Sequence, residues 1–485
     1  MLKKKTVLRF ILGLKIRQLR IKRGFSLKEL AEAADLSISY LNEIEKGKKY
    51  PKIEKLAALA QSLNIDLGEL VSFKTGRNLH PLLKFLESDM VENVPLELFG
   101  LSESDVVDLM GHDPEKFASF VLTVLQISRS FDIKMDDVYA AALRSYIEGH
   151  DNYFPELEKI AQKTKAHLNL VADAISFSDL KTQLKTNYQY ETDEKSLGDN
   201  ALFSETKFLV KRSAPQCLFI NPKLKENQKT FCLAKELGHL VLGTKKEMEK
   251  KNLGEMLDDF KTSYFAGAIL LEENLFSKDI KAFLSNPKFE AQNFLSLLNK
   301  YKVSPEVLFH RLTQVLPSHF KVNELFFLSV TTKLQEREEF IINNELHLSQ
   351  LHSPHGVRMN ENYCRRWVAI KSLQHFKKNP ELESFVLGQI SVVLDGQEYF
   401  SISLANKSSL EDETLNSLTI GFLVNDELKN VVKFLDDKNL KRIFIGQTCE
   451  RCPISDCFER VVPASVYQKE IEKKLRLKAM SQLTE

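Results

Sequence analysis

The hydrophobic residues near the start of the chain recur at helical spacing, in short segments that polar turns separate. This pattern predicts an amphipathic helix over residues 14–20. Ser26 has the position of an N-cap before a second helix over 27–34, and Glu29 completes a capping box with it. The start of the chain is therefore predicted to be a domain built from short helices.

A tight turn and a third helix follow the second one. Asp35 lies in the turn, and aspartate tolerates the left-handed backbone conformation that such a turn requires. Ser37 caps a helix over 38–45, and Gly47 supplies its stop signal. Two helices joined by a short turn, the second with a polar outer face, form a helix-turn-helix. We assign residues 1–73 to a five-helix DNA-binding domain.

The same region resembles the lambda-repressor-like, xenobiotic-response-element regulators through the pattern LxxxIRxLRxxRGxSxxELAxxAxxSxSYLxxIExGKxxP. The resemblance implies that the third helix reads base edges and that flanking residues hold phosphates. The implied base-reading residues are Ser37, Ser39, Tyr40, Asn42 and Glu43; the implied phosphate-holding residues are Arg17, Ser26, Lys46, Lys48 and Lys49.

Charge is distributed unevenly along the chain. Residues 1–55 contain 15 Lys or Arg and 6 Asp or Glu, a net charge of +9, whereas the whole chain has a net charge of only +2. A basic surface confined to one small domain is typical of contact with the DNA backbone.

The whole chain has 485 residues, 43% of them hydrophobic, which is enough for about three domains. No apolar run reaches the roughly 18 residues of a membrane span. Six cysteines in a chain of this length indicate reduced thiols, so we expect a cytoplasmic protein. We predict a multidomain fold, mainly α with α+β parts: residues 74–154 as linker and helices, 155–316 as an α+β domain, and 317–485 as a C-terminal α+β domain.

A motif related to that of zinc peptidases lies in the middle of the chain. A short strand over 217–221 is followed by a helix over 228–242, which contains the run Lys-Glu-Leu-Gly-His from Lys235 to His239. In H-E-x-x-H the two His bind zinc from one helical face and the Glu acts as general base. The run FCLAKELGHLVLG resembles ImmA/IrrE-type metallopeptidases, and the resemblance places Asp259 at their third, acidic ligand.

The departure from that motif changes the expected function. Lys235 replaces the first zinc-binding His, and a protonated amine repels a dication. We therefore predict a degenerate pocket of Lys235, Glu236, His239 and Asp259 rather than an enzyme. A hydrogen-bonded core cluster and a working metal-dependent peptidase that cleaves a partner repressor remain the alternatives.

Cys449, Cys452 and Cys457 form a C-x2-C-x4-C run, and Cys364 lies far away in sequence beside Trp367. Four thiolates suit a tetrahedral zinc ion or an iron–sulfur cluster, and spacing alone does not separate the two.

The C-terminal region carries a second resemblance. An Asp395–Gly396 turn predicts a hairpin, which a strand over 418–424 extends into a small antiparallel sheet; a separate strand over 442–445 precedes the cysteine run. The C-x-x-W motif, the hairpin and CxxCxxxxCxxR resemble the short-chain fatty-acyl-CoA-responsive regulators, whose domains follow the same order. The resemblance implies a 4Fe–4S cluster, with zinc as the alternative, and an acyl-CoA-like effector.

These features together predict a homodimeric, sequence-specific transcriptional regulator that binds an operator in duplex DNA. Its DNA binding would be gated by an acyl-CoA-like metabolite, by a metal centre bound to cysteines, or by both. A phage-type or toxin–antitoxin regulator with a purely structural zinc tail is the remaining alternative.

Overall fold

The computed structural model describes residues 4–71, 123, 135–170, 173–244, 253–334, 339–348, 361–411 and 413–484. These residues belong to two compact units: Met1–Tyr146 with Lys246–Leu257, and Ile147–Lys245 with Asp258–Glu485. Most of the segment 74–134, within the predicted linker and helical region, lies outside the described residues.

The first unit begins with the five predicted helices: α1 (Lys4–Lys22), α2 (Leu27–Ala33), α3 (Ile38–Glu45), α4 (Ile53–Ser62) and α5 (Leu67–Val71). Apolar side chains from all five helices pack into one core, which includes Ile16, Leu30, Leu41, Leu59 and Leu70. The predicted bounds of α3 are confirmed to the residue, because both of its ends are set by local signals.

The helices that follow are α6 (Met135–Glu148), α7 (Pro155–His167), α8 (Phe177–Tyr188), a 3-10 turn (Ala201–Phe203), α9 (Glu226–Leu242), α10 (Leu253–Leu270), α11 (Glu273–Leu284), α12 (Ala291–Tyr301) and α13 (Pro305–Phe320). Helices α6 and α10 contain residues of both units. Among the described helices, none combines the length and the apolar character needed to cross a membrane.

A small sheet lies before α9 in the chain. Its strands are β1 (Glu191–Asp193), β2 (Phe208–Lys211) and β3 (Cys217–Ile220), in the order β1-β3-β2. Strand β1 runs parallel to β3, and β2 runs antiparallel to it. The predicted strand and helix of the peptidase-like motif are therefore confirmed, with α9 beginning two residues earlier than expected.

The C-terminal sheet is larger than predicted. Its strands are β4 (Leu325–Lys333), β5 (Ile341–His347), β6 (Ser384–Val392), β7 (Glu398–Lys407), β8 (Thr414–Leu423) and β9 (Arg442–Phe444), in the order β5-β4-β8-β7-β6-β9. The predicted hairpin is confirmed between β6 and β7, with Gly396 at φ +90°. The antiparallel pairing expected of the hairpin with the strand over 418–424 is confirmed in β6, β7 and β8, but the sheet is larger than expected: it has six strands, and β9 pairs with β6 in parallel.

One face of this sheet packs against α14 (Val368–Lys378), and the chain ends with α15 (Asp426–Val431) and α16 (Ser465–Thr484). The other face contacts the helices of the peptidase-like region. The ring of Phe289, between α11 and α12, lies 6.1 Å from Phe400 of β7 and 5.6 Å from Phe434, centroid to centroid. A Cβ at Gly388 of β6 would lie 2.7 Å from the Phe289 ring, so glycine permits this close approach. The segments predicted as 155–316 and 317–485 thus pack together within the second unit.

Candidate functional sites

Helix α3 presents the candidate DNA-binding surface. Ser37 caps it, with its hydroxyl accepting a hydrogen bond from the Tyr40 amide at 3.2 Å. Leu41 and Ile44 are buried against the core, while Ser39 and Asn42 are exposed on the outer face. This alternation follows the helical period and leaves a polar surface directed away from the core.

The turn before α3 has the geometry that the sequence predicts. Ser26 and Glu29 form the reciprocal capping box of α2, and Asp35 has φ 50°. Hydrogen bonds from the Ser26 backbone amide and from its hydroxyl to the Glu29 carboxylate lower the pKa of Glu29. The Ser37 hydroxyl acts as the acceptor in its cap, and because a serine hydroxyl can also donate, Ser37 can still bond a phosphate oxygen.

A buried ion pair holds α3 against α1. Arg20 on α1 donates from Nε to Glu45 Oε1 at 2.6 Å and from Nη2 to Oε2 at 3.0 Å, and also bonds the Phe25 carbonyl at 3.0 Å. A Cβ at Gly13 would lie 2.3 Å from the carbonyl oxygen of Ile44, so only glycine permits this approach of the two helices. The sequence analysis did not predict this ion pair, although the pattern quoted for the domain contains both Arg20 and Glu45.

Three of the predicted DNA-contact residues interact with one another. Lys49 Nζ lies 2.8 Å from Glu43 Oε2 and 5.7 Å from the centroid of the Tyr40 ring. The bond to Glu43 raises the pKa of Lys49. Among the other predicted residues, Lys46 and Lys48 are exposed after the end of α3, and Arg17 is partly buried on α1.

The degenerate peptidase motif lies on α9, which is buried along most of its length. Lys235 Nζ forms an ion pair with Asp259 Oδ1 at 2.7 Å. These two residues occupy the positions where the resemblance implies the first and third zinc ligands. The charges of Lys235 and Asp259 therefore neutralise each other at the position where the resemblance to ImmA/IrrE-type peptidases implies a metal ion.

The other two residues of the predicted pocket have separate partners. Glu236, with 0% of its side chain exposed, accepts bonds from Arg212 Nη2 to both carboxylate oxygens at 3.2 Å and from the Tyr190 hydroxyl at 3.0 Å. Burial, followed by the charge of Glu236, raises the pKa of Tyr190 to about 12. The Nδ1 atom of His239 lies 2.7 Å from Thr244 Oγ1.

Tight contact between α9 and α10 explains the glycine of the motif. A Cβ at Gly238 would lie 2.9 Å from the Phe265 ring and 3.3 Å from the Thr262 carbonyl oxygen. The Thr262 hydroxyl lies 3.4 Å from His239 Nε2, so both ring nitrogens of this histidine face hydroxyl groups. Of the four predicted residues, the structure pairs Lys235 with Asp259 and gives Glu236 and His239 other partners.

A cavity of about 380 Å³ adjoins Lys235. Its walls are largely apolar and aromatic and include Phe208, Phe231, Phe260 and Val307. Sequence reasoning could not find this cavity, because its walls come from segments separated by about a hundred residues.

A buried charge network closes one side of the same cavity. Arg311 donates to Glu158 from Nη1 at 2.6 Å and from Nη2 at 2.8 Å, and the Tyr264 hydroxyl donates to Glu158 at 2.6 Å. Arg311 is 0% exposed and Glu158 is 2% exposed. No signal in the sequence pointed to this pair, because Glu158 lies 153 residues before Arg311.

The cysteines of the C-terminal region lie on a loop after β9 and just before α14. The Gly446 amide donates to Cys364 Sγ at 3.4 Å, and a Cβ at Gly446 would lie 3.0 Å from Cys452 Sγ. Arg460 donates to the carbonyls of Cys449 at 2.7 Å and Cys452 at 3.1 Å. Cys364 is therefore close to the C-x2-C loop, although 85 residues separate it from Cys449 in sequence.

The fit of these thiols to a metal centre is incomplete. Among the described residues, which include all six cysteines, no three His, Cys, Asp or Glu side chains stand close enough together to hold a metal ion. Cys449 and Cys452 are buried, whereas Cys457 is partly exposed. Cys232 is also buried, and burial raises the pKa of its thiol to about 12.

Two family models match the chain. Residues 16–70 match the model described as helix-turn-helix, and residues 188–313 match the IrrE N-terminal-like domain. The chain thus contains an XRE-type helix-turn-helix domain and an IrrE-like domain, which confirms these two resemblances.

Among curated proteins, the chain is 39% identical over 57 residues to the HTH-type transcriptional regulator DdrOP3 of Deinococcus deserti, covering 12% of this chain and 44% of that protein. It is 36% identical over 61 residues to the transcriptional regulator ClgR of Mycobacterium tuberculosis, covering 13% of this chain and 54% of that protein. The match therefore spans about half the length of each of these two relatives.

A longer match covers 93% of this chain and 94% of the HTH-type transcriptional regulator RamB of Mycobacterium tuberculosis, at 20% identity over 493 residues. A solved structure described as a Mycobacterium tuberculosis transcriptional regulator aligns with a TM-score of 0.47 and 17% identity, covering 66% of this chain and 92% of that one.

Proposed function

We propose that the protein is a transcriptional regulator that binds duplex DNA through α3. The observation that carries this proposal is the presentation of α3: capped by Ser37, held by the Arg20–Glu45 pair and exposing Ser39 and Asn42 on its outer face. Such a helix enters the major groove with its N-terminal residues against base edges. The names of DdrOP3, ClgR and RamB support the same function.

The basic charge of the domain supports contact with phosphates. Lys46 and Lys48 extend from the end of α3, and the net charge of +9 over residues 1–55 favours binding to a polyanion. Lysines that contact phosphates contribute affinity without sequence preference, whereas Asn42 can form a bidentate contact to adenine.

Selection of duplexes from a random library by the full-length protein, followed by fluorescence anisotropy, tests this function. Asn42→Ala is expected to weaken binding to the selected duplex by about 1–3 kcal/mol and to relax preference at one position. Lys48→Ala should weaken all duplexes alike and reduce the salt dependence by about one phosphate contact. Gln61→Ala, an exposed change on α4, is the matched control. Failure to enrich any sequence would contradict the proposal.

We further propose that an acyl-CoA-like metabolite regulates DNA binding by occupying the cavity beside Lys235. The apolar walls suit an acyl chain, and Lys235 lies at the cavity lining beside its partner Asp259. A decisive switch requires the metabolite to favour one state by several kcal/mol. In anisotropy titrations, acetyl-, propionyl- and butyryl-CoA should shift the affinity of the protein for DNA, and free CoA is the control without an acyl chain. No shift with any of the three acyl-CoA compounds would reject this gating.

The ion pair of Lys235 with Asp259 supports a regulator rather than a peptidase. A metal-dependent peptidase needs three protein ligands and an open position for water, and here two of the implied positions are joined by a salt bridge. Incubating the protein with zinc and a candidate partner repressor should leave that repressor intact; its cleavage would favour the peptidase.

A cysteine-bound centre remains part of the proposal, as a 4Fe–4S cluster or, alternatively, zinc. The position of Cys364 and Cys452 beside Gly446 supports it, while the thiol spacing in this arrangement does not complete a ligand set. Cys449 and Cys457 would complete the set of four. Anaerobic purification with iron, sulfide and zinc analysis distinguishes the two metals; metal-free protein would reject both.

We propose a homodimer in the cytoplasm, because helix-turn-helix regulators of this class read two-fold related half-sites. Light scattering coupled to size-exclusion chromatography of the full chain tests this assembly, with and without the selected duplex. A monomer under both conditions would contradict it.

A further inference from the structure

Helix α13 runs through the interior of the second unit, and one of its central residues differs from the rest. Between residues 307 and 317, every residue except His310 is buried. His310 keeps an exposed surface, and it lines the cavity of about 380 Å³ beside Lys235. Because the residues on both sides of it are buried, the exposed surface of His310 is directed into this cavity.

The His310 ring is held by a contact with the C-terminal sheet. It packs against Phe327 of β4 with 4.8 Å between the ring centroids, and Phe327 is only 1% exposed. A recognition group that is fixed by packing has its geometry set before a ligand arrives. The imidazole therefore forms a defined polar point on a largely apolar wall.

The hydrogen-bonding capacity of His310 is not used within the protein. Its ring forms no hydrogen bond with any residue in the part of the chain that the structure describes. Other polar groups of the cavity wall have partners: Lys235 pairs with Asp259 at 2.7 Å, and both the Tyr264 hydroxyl and Arg311 bond Glu158 at 2.6 Å. His310 can therefore bond an occupant of the cavity without giving up an existing bond.

The charge state of His310 limits which ligand atom it can recognise. Burial lowers the pKa of His310, although the carboxylate of Glu306 opposes this effect. The imidazole is therefore neutral near pH 7, with one N–H donor and one acceptor nitrogen. A neutral donor suits an uncharged acceptor, such as a carbonyl oxygen, and offers no ionic attraction to an anion.

We propose that His310 determines the specificity of this cavity for an acyl thioester, because its ring N–H donates to the thioester carbonyl oxygen. The acyl chain then lies against the apolar wall that includes Phe208, Phe231 and Phe260. A few polar groups on an apolar wall commonly fix the orientation of a ligand in this way. The inference rests on the proposed function of the cavity as an acyl-CoA site, and it adds the group that distinguishes a thioester from other CoA derivatives.

Two CoA compounds of equal chain length test this bond. Butyryl-CoA carries the thioester carbonyl, whereas the thioether S-butyl-CoA has a methylene group in its place. In calorimetric titrations of the full-length protein, butyryl-CoA should bind about two- to tenfold more tightly, which is the net effect of one hydrogen bond. Equal affinity for the two compounds would overturn the role of His310 and leave the acyl-CoA site intact, whereas no binding of either compound would overturn both.

Substitutions of His310 test whether this residue is the source of the preference. His310→Leu removes the donor, so the dissociation constants of the two compounds should become equal. His310→Gln keeps an N–H donor and should retain part of the preference. His319→Gln is the matched control, because His319 is an exposed histidine of the same helix, lies 3.4 Å from Glu273 and is not part of the cavity wall.

Circular dichroism verifies that the variants fold. The comparison of the two compounds on the unmodified protein keeps the test valid if leucine is not accommodated at position 310. An unchanged preference for butyryl-CoA in folded His310→Leu would overturn the proposal, as would an equal loss of preference in the His319→Gln control.

Discussion

The buried Arg20–Glu45 pair allows a quantitative test of how the DNA-binding helix is held. Glu45→Ala removes the carboxylate that accepts two bonds, at 2.6 and 3.0 Å, and leaves the Arg20 guanidinium with the Phe25 carbonyl. Removing one partner of a fully buried pair costs about 3–5 kcal/mol. Because the Arg20 side chain keeps 14% of its surface exposed, water can solvate part of the charge, and we expect a loss of about 2–3 kcal/mol.

A loss of this size is a large part of the stability of a small domain, which is roughly 4–10 kcal/mol for about 70 residues. It should lower the melting temperature of the domain by about 10–20 °C. Since Trp367 lies in the other unit, its fluorescence does not report on this domain. Hydrogen exchange of the α3 amides, measured together with calorimetry of the full chain, is the suitable assay.

Glu43→Ala is the matched control, because it removes the same residue type from the same helix. Its partner is Lys49, and the side chains of Lys49 and Glu43 are 55% and 38% exposed, so water screens the pair and the expected loss is much smaller than that of Glu45→Ala. The double change Arg20→Met with Glu45→Met should recover most of the stability, since no charge is left buried. Equal effects of Glu45→Ala and Glu43→Ala would refute the reasoning.

Three further predictions concern other contacts. Gly13→Ala should destabilise the first domain by about 1–3 kcal/mol in a thermal melt, because its Cβ would collide with the Ile44 carbonyl oxygen. A gain in stability would contradict the close packing of α1 against α3. Lys235→His should add about one zinc per chain by metal analysis, and unchanged zinc content would show that the site cannot be restored. The bond from Arg451 lowers the pKa of Glu361, so its stabilising contribution is present above about pH 4.5 and is lost as pH falls through the lower folded pKa. Melting temperatures from pH 3 to 7 should therefore depend less on pH in Glu361→Gln, and parallel curves would contradict this.

The elements that the sequence predicts well are those set by neighbours along the chain. Ser26, Ser37 and Gly47 fix the ends of α2 and α3 through caps and a stop signal, so the predicted and observed bounds agree closely. The hairpin at Gly396 is predicted for the same reason, since its turn type requires glycine.

Contacts between distant segments could not be predicted. Arg212 binds Glu236 from 24 residues away, and Glu158 and Arg311 are separated by 153 residues. The polar, irregular alternation of β5 gave no strand signal, which is one reason why the six-stranded sheet was underestimated. Such pairings follow from the assembled fold and leave no periodic pattern in the sequence.

The charges beside Lys235 limit what kind of ligand its cavity can take. In the cavity beside Lys235, the ammonium already has a carboxylate partner at 2.7 Å, so an anionic ligand must compete with Asp259 for the same charge. A ligand can shift a conformational equilibrium only by its differential affinity for the two states. An effector whose acyl chain fills the apolar walls beside Lys235 therefore gains affinity without displacing Asp259, whereas an anionic group placed at the ammonium has to compete with that carboxylate.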